Sequence, residues 1–275
     1  MRIHGICLMK NESDILRYFF RESLRWCDRI YVFDNGSSDA TWDIVNETAR
    51  VHPQIVPALR EDRAFDDCLR GDIFRRFRGE AGPGDWWCRL DADEIYIDEP
   101  RAFLGRVPPG DHVVWATHLQ YHITTADLAR FTPEDELRAP EIDASNLPRY
   151  YAADAGEPRF FRHRARLDWP ADGAWPRHVG VVTPERIRLK HLQYRSPAQI
   201  QRRLDTRREA LAHGYRHFTH SIEQTWREKV ADPATLAFDG CDGNFAVDPA
   251  RIPRHLEPPA QRAVKRIMHG LRLWP

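Results

Sequence analysis

Arg29-Ile30-Tyr31-Val32-Phe33-Asp34-Asn35-Gly36-Ser37-Ser38-Asp39-Ala40-Thr41 is the stretch on which the reading of this chain turns. A run of β-branched and aromatic residues stops at Asp34. Turn-forming residues then separate it from a helix expected over residues 41–50. The same strand–loop–helix unit lies on both sides. Upstream, residues 3–8 read as a short buried strand. An amphipathic helix follows, reaching Trp26, with Ile15, Leu16, Phe19, Phe20 and Leu24 inward and Ser13 as its expected N-cap. Downstream come a strand over 55–59, a helix over 65–77 broken by Gly79 to Gly84, and a strand over 86–90. Strands alternating with helices predict an α/β, Rossmann-like fold: a mostly parallel central sheet with helices on both faces.

Beyond residue 100 the pattern loosens. Strands are expected over 113–121, 160–167 and 179–189, with a polar, Pro-punctuated excursion or lid over 132–156. A helix is expected over 196–213, opened by Ser196-Pro197. The organisation expected is an α/β domain over 1–195, carrying any strand-end site, and a helical C-terminal region over 196–275.

Lys+Arg and Asp+Glu are 41 each, so the chain is formally neutral, which argues against a globally basic nucleic-acid coat. Only four of the cations are lysines, leaving 37 arginines. That bias fits either genome composition or sites that grip flat anions in a bidentate way. Neutrality is a cancellation: residues 85–99 carry a net −5 and residues 186–216 a net +7. No run of 18 apolar residues and no apolar leader is present, and five scattered cysteines form no CxxC, so a reducing, cytoplasmic setting is expected.

In an open parallel sheet, ligands bind outside the carboxyl ends of the strands. Three polar clusters are expected there: Asn11-Glu12, Asp34 to Asp39, and Asp91-Ala92-Asp93-Glu94. Three carboxylates in four residues repel one another unless a cation offsets them, and hard oxygen ligands suit Mg²⁺ or Mn²⁺. The alternative is a solvated acidic turn. The apolar flanks Trp86-Trp87 and Ile95-Tyr96-Ile97 favour the metal. Asp39 is expected to cap the helix over 41–50.

Lys10-Asn11-Glu12, Phe33-Asp34-Asn35-Gly36-Ser37-Ser38-Asp39-Ala40-Thr41 and Leu90-Asp91-Ala92-Asp93-Glu94, in this order and spacing, resemble family 2 glycosyltransferases of the GT-A type. Further on, Leu189-Lys190-His191-Leu192-Gln193-Tyr194-Arg195-Ser196-Pro197 resembles the closing segment of the subgroup that carries D-x-D-E. The resemblance implies a nucleotide-sugar donor, UDP- or another NDP-sugar. Asp34 would contact its base or ribose, with Arg63 flanking the base and Asn11, Glu12, Asn35 and Asp91 around the nucleotide. It implies that Asp93, with Asp91, holds Mn²⁺ or Mg²⁺ on the diphosphate and that His191 completes the site. It also implies inverting transfer to a glycan or lipid-linked acceptor.

Arg159, in the basic-aromatic run Arg159-Phe160-Phe161-Arg162-His163-Arg164, is expected at the diphosphate or acceptor rather than at nucleic acid. For the general base the candidates are Asp168, Asp172 and His178. Trp169 and Trp175 beside them would be either sugar-stacking platforms or anchors of a surface loop. Glu94 is expected to pair with an arginine or an acceptor hydroxyl. In the tail over 260–275, Val264, Ile267, Met268 and Leu271 share helical spacing with Arg262, Lys265, Arg266 and Arg272. This tail would lie either on an anionic membrane or on its own domain. The rival functions are a nucleotidyltransferase with a strand-end metal, for which no Gly-rich phosphate loop is present, and a glycan-binding module without catalysis.

Overall fold

The computed structural model describes residues 1–63, 65–214 and 223–275. The first half follows the alternation: β1 (Ile3–Met9), α1 (Leu16–Ser23), β2 (Arg29–Asp34), α2 (Thr41–Val51), β3 (Ile55–Arg60), α3 (Leu69–Phe77) and β4 (Trp86–Leu90). β1 pairs parallel with both β2 and β4, and β2 parallel with β3. Side chains alternate across this sheet as pleating requires. Cys7, Met9, Ile30, Val32, Trp86, Cys88 and Leu90 enter one core, against α1 and α2. Ile6, Leu8, Tyr31, Phe33 and Trp87 enter a second, against Ile73 and Phe74 of α3. Both faces are thus buried, which explains strands that read as continuous apolar runs.

The second half adds β5 (Glu94–Tyr96), α4 (Pro100–Arg106), β6 (Val113–His122), α5 (Pro133–Leu137), β7 (Tyr150–Arg162), β8 (Val182–His191), α6 (Pro197–Ala212), β9 (Ala237–Phe238) and α7 (Pro259–Gly270). The sheet has nine strands in the order β3-β2-β1-β4-β7-β6-β8-β5, with β9 on β7. Here pairing is mixed: β7 lies antiparallel to β4 and β6, β6 parallel to β8, and β8 antiparallel to β5.

Several expected boundaries shift. The 132–156 excursion contains α5 and then the first turns of a long strand, because Tyr150 and Tyr151 pair with His122 and Tyr121. Pro158 is tolerated in β7 because it faces Trp115 where the register slips. Ser13 does not cap α1. Its hydroxyl donates to Asp39 Oδ2 at 2.7 Å, and the helix opens with the Ile15 and Leu16 amides on the Glu12 carbonyl. Asp39 does receive the first amide of α2, from Thr41 at 3.0 Å. The expected 65–77 helix starts at Leu69, and its residue-64 neighbour lies outside the described residues, as do residues 215–222 of the C-terminal region.

The tail packs on the sheet through its cations. Arg266 donates to Asp111 at 3.2 Å, Lys265 donates to the Gly180 carbonyl and Glu257, and Trp274 stacks on His178. Val264, Ile267 and Leu271 are left exposed. No helix among the described residues is long and apolar enough to cross a membrane.

Trp169 is fully buried against Phe74 and Phe161, stacks on Trp175, and donates from its indole to the Gly173 carbonyl at 2.7 Å. It is an anchor of the core and is not available as a sugar platform. Trp169→Ala is therefore expected to cost about 3–5 kcal/mol in denaturant unfolding while leaving any ligand affinity unchanged. A loss of affinity without loss of stability would place the ring at a ligand instead.

Candidate active site

The C-terminal ends of β1, β2 and β4 release three loops into one cleft of ≈ 850 Å³, walled on the far side by α6. Asn11, in left-handed backbone (φ 58°), locks the first loop to the second. Its amide donates to Ser37 Oγ at 2.9 Å and its side-chain oxygen accepts from the Ser38 amide at 2.8 Å. Gly36 is required by its φ of +74° and by Asp62, whose Cβ would lie 2.6 Å from any added Cβ.

Asn11, Glu12, Asn35, Arg63, Asp91, Asp93, Arg159 and His191 all line this cleft. Asp34 does not. Its Oδ1 accepts from the Ser37 amide and hydroxyl and its Oδ2 lies 3.2 Å from Arg60, so it builds the loop from beneath. Asn35 and Arg63 are coupled, since the Asn35 side-chain oxygen accepts from the Arg63 amide at 3.2 Å.

The base candidates fall elsewhere. Asp168, Asp172 and His178 are exposed and none lines the cleft. Their loop turns away because Trp169 is pulled into the core behind α3, and His178 is the seat of Trp274. The Pro/Gly/Asp composition of this loop is turn chemistry. Carboxylates that do line the cleft include Asp67, Glu157, Asp205 and Glu209.

The acidic motif is held by arginines from distant elements. Arg70 of α3 and Arg159 of β7 take the two oxygens of Asp91, Arg159 at 3.0 Å. Arg159 also reaches Glu94 and Glu157, and Arg70 and Arg89 converge on Asp67, each at 2.6 Å. Asp93 instead faces α6 and β8: Arg203 lies 3.0 Å away and His191 Nε2 3.5 Å away. β5 brings this about, because Glu94 pairs with His191 and the Leu192 amide donates to the Asp93 carbonyl at 2.7 Å. Behind them Arg195 joins Glu12, at 2.7 Å, to Asp14, at 2.8 Å.

Seven carboxylates (Glu12, Asp14, Asp67, Asp91, Asp93, Glu94 and Glu157) meet five guanidiniums (Arg70, Arg89, Arg159, Arg195 and Arg203), and Lys10, Arg63, Arg202 and Arg207 line the rest of the cleft. The titration of the site reflects these pairings. Burial opposes ionisation of Asp91, but Arg70 and Arg159 outweigh it and bring it down to about 2. Burial likewise opposes ionisation of Asp93, but His191 and Arg203 outweigh it and hold the carboxyl well below its usual range. For Glu94 burial wins over Arg159 and pushes it well above its usual range. For Glu12 burial outweighs Arg195 and lifts it to about 7. Burial, helped by Arg159, pushes His118 down, so its imidazole is neutral and free to act as a ligand at neutral pH.

A divalent cation fits this donor set. Asp93 and His191 present an ionised carboxylate and an imidazole at the base of the cleft. Asp91 fits less directly, because both of its oxygens are committed to arginines. Sequence reasoning missed Arg70, Arg89, Arg195, Arg203 and His118. The +7 segment pointed towards Arg195 and Arg203, and Arg195 also stands in the closing segment Leu189 to Pro197, without a role assigned to it there.

No family model matches the chain, and no curated protein is significantly similar to it. Among solved structures, a mannosyltransferase of Pyrobaculum calidifontis in complex with GDP-Man and Mn2+ aligns over 78% of this chain, with 16% identity and a TM-score of 0.42. GalNAc-T7 with UDP, GalNAc and Mn2+ aligns over 45% of this chain (15%, 0.33), and S. aureus TarS 1-349 over 82% (12%, 0.32). The alignments span 64%, 24% and 67% of those chains respectively.

Because Glu12 is raised above its ordinary 4.5, the folded state binds its proton more tightly than the unfolded chain does. Its contribution therefore falls as pH rises from about 4.5 through 7, by about 3 kcal/mol in full. Unfolding curves of the metal-free protein across this window should show that decline, and Glu12→Gln should flatten it. A slope unchanged by Glu12→Gln would mean that the carboxyl titrates normally.

Proposed function

We propose that the chain is a metal-dependent, inverting glycosyltransferase of the GT-A type, with a nucleotide-sugar donor and a glycan or lipid-linked acceptor. The observation that carries this reading is the meeting of Asp93 and His191 at the base of a cleft bordered by the Asn11, Asn35 and Arg63 loops. A diphosphate leaving group carries charge that must be offset as its bond to the sugar breaks. Mn²⁺ or Mg²⁺ bound by Asp93 and His191 would supply that offset.

The chain's own residues account for the rest. Asn35 and Arg63, on the β2–β3 side, stand where the base would lie, and Arg63 packs over the Phe33 ring at 5.2 Å. Arg202 and Arg203 of α6 project over the diphosphate position, where a planar guanidinium suits phosphate oxygens. The acceptor enters beside Asp67 and Glu157, and its hydroxyl proton would pass to a carboxylate of that wall as the displacement inverts the anomeric carbon. A role in surface polysaccharide or lipopolysaccharide synthesis, at the cytoplasmic face, is part of the proposal. So is membrane contact through α7, whose docking site at Asp111 lies at the opposite end of the sheet from the cleft.

A thermal-shift screen of nucleotide sugars with Mn²⁺ should identify one stabilising donor, and turnover should release a nucleoside diphosphate. Asp93→Ala should lower kcat/KM by about a hundredfold or more with the same donor. Release of pyrophosphate from a nucleoside triphosphate would favour nucleotidyl transfer instead. Nucleotide binding that ignores Mn²⁺, without turnover, would favour a binding module.

A further inference from the structure

β6, β8 and β5 are neighbours in the sheet, and each contributes one ligand-type side chain to the same spot beneath the cleft. His118 comes from β6, His191 from β8 and Glu94 from β5. One donor atom from each lies within 4.8 Å of the others. Glu94 and His118 are almost wholly buried, whereas His191 opens to the cleft.

An ordinary hydrogen-bonded His–Glu pair does not explain the cluster. His118 Nδ1 stands 4.0 Å from Glu94 Oε1, too far for a hydrogen bond. Arg159 takes Oε1, while Glu94 Oε2, His118 Nε2 and His191 Nδ1 are buried without a hydrogen-bond partner. Burying unsatisfied polar groups is costly, and three together mark a missing partner. A carboxylate oxygen and two imidazole nitrogens can each offer a lone pair, so the partner that satisfies all three at once is a cation.

We propose that Glu94, His118 and His191 Nδ1 hold a divalent cation on the buried side of the cleft floor, with Asp93 on His191 Nε2 steadying the ring. This rests on the glycosyltransferase reading for the ion's task but not for its binding. Two imidazoles beside a carboxylate make a borderline-soft donor set, which favours Co²⁺, Zn²⁺ and Mn²⁺ over Mg²⁺. A site built from protein donors alone also holds its ion before any nucleotide arrives.

Titration of Co²⁺, Mn²⁺ and Mg²⁺ into the full chain without nucleotide tests this, followed by calorimetry and by the visible absorption of Co²⁺. The wild type should bind Co²⁺ with a ligand-field spectrum and bind Mg²⁺ at least about tenfold more weakly. His118→Gln and Glu94→Gln should each weaken Co²⁺ and Mn²⁺ about tenfold or more and alter the spectrum. If Asp93→Ala abolishes binding while His118→Gln leaves affinity and spectrum unchanged, the buried ligands are refuted and the donor-cation reading stands. If Asp93→Ala, His118→Gln and Glu94→Gln all bind as the wild type does, both readings fail. Should His118→Gln not fold, as judged by circular dichroism, the wild-type spectrum and metal preference decide alone. A wild type that binds Mg²⁺ as tightly as Co²⁺, with no change in absorption, overturns the proposal.

Discussion

Burying carboxylates at the ends of parallel strands is expensive unless each is paired, and this constraint organises the second half of the molecule. Asp91, Asp93 and Glu94 are carried into the sheet by the apolar segments on either side of them. Once there they recruit Arg70 from α3, Arg159 from β7 and Arg203 from α6. Each arginine ties a separate element to the cleft floor. Guanidinium is the suitable cation because its planar fork spans two carboxylates at once: Arg70 joins Asp67 to Asp91, and Arg195 joins Glu12 to Asp14. The arginine bias of the composition is functional at these positions, whatever its origin on the outer surface.

The seven carboxylates of this network do not titrate alike. Asp91 and Asp93 stay ionised, whereas Glu94 and Glu12 are pushed towards their protonated forms. A divalent ion at the base of the cleft would draw the buried glutamate back to its charged state. Arg203, which faces Asp93 at 3.0 Å, would then be released towards an anion in the cleft. On the proposed reading, cation and diphosphate would be coupled through the Asp93 carboxylate.

Much of the first half was legible because its information is local. A strand that ends in Asp34-Asn35-Gly36, or in Asp91-Ala92-Asp93, declares both its period and its stop, and parallel order follows from the intervening helices. The second half depends on pairings that no local pattern encodes. β5 is three residues long, yet its antiparallel register with β8 is what sets His191 beside Asp93. The partners of Asp91 lie 21 and 68 residues away. The loop holding Asp168 and Asp172 misled for the opposite reason. Its residues have the right chemistry for a base, but burial of Trp169 turns the loop outward. Asp34, similarly, ends its strand as expected, and its Oδ1 accepts from Ser37 of the loop itself.

The cation site at the strand ends is most directly tested by counting Mn²⁺ bound to the metal-free chain, from the loss of the free-ion electron paramagnetic resonance signal, in the wild type and in Asp93→Ala. One tightly held ion per wild-type chain, and none in the variant, is the expected result. A wild type that leaves all of the Mn²⁺ free, or a variant that retains its ion, would contradict a cation site built on Asp93.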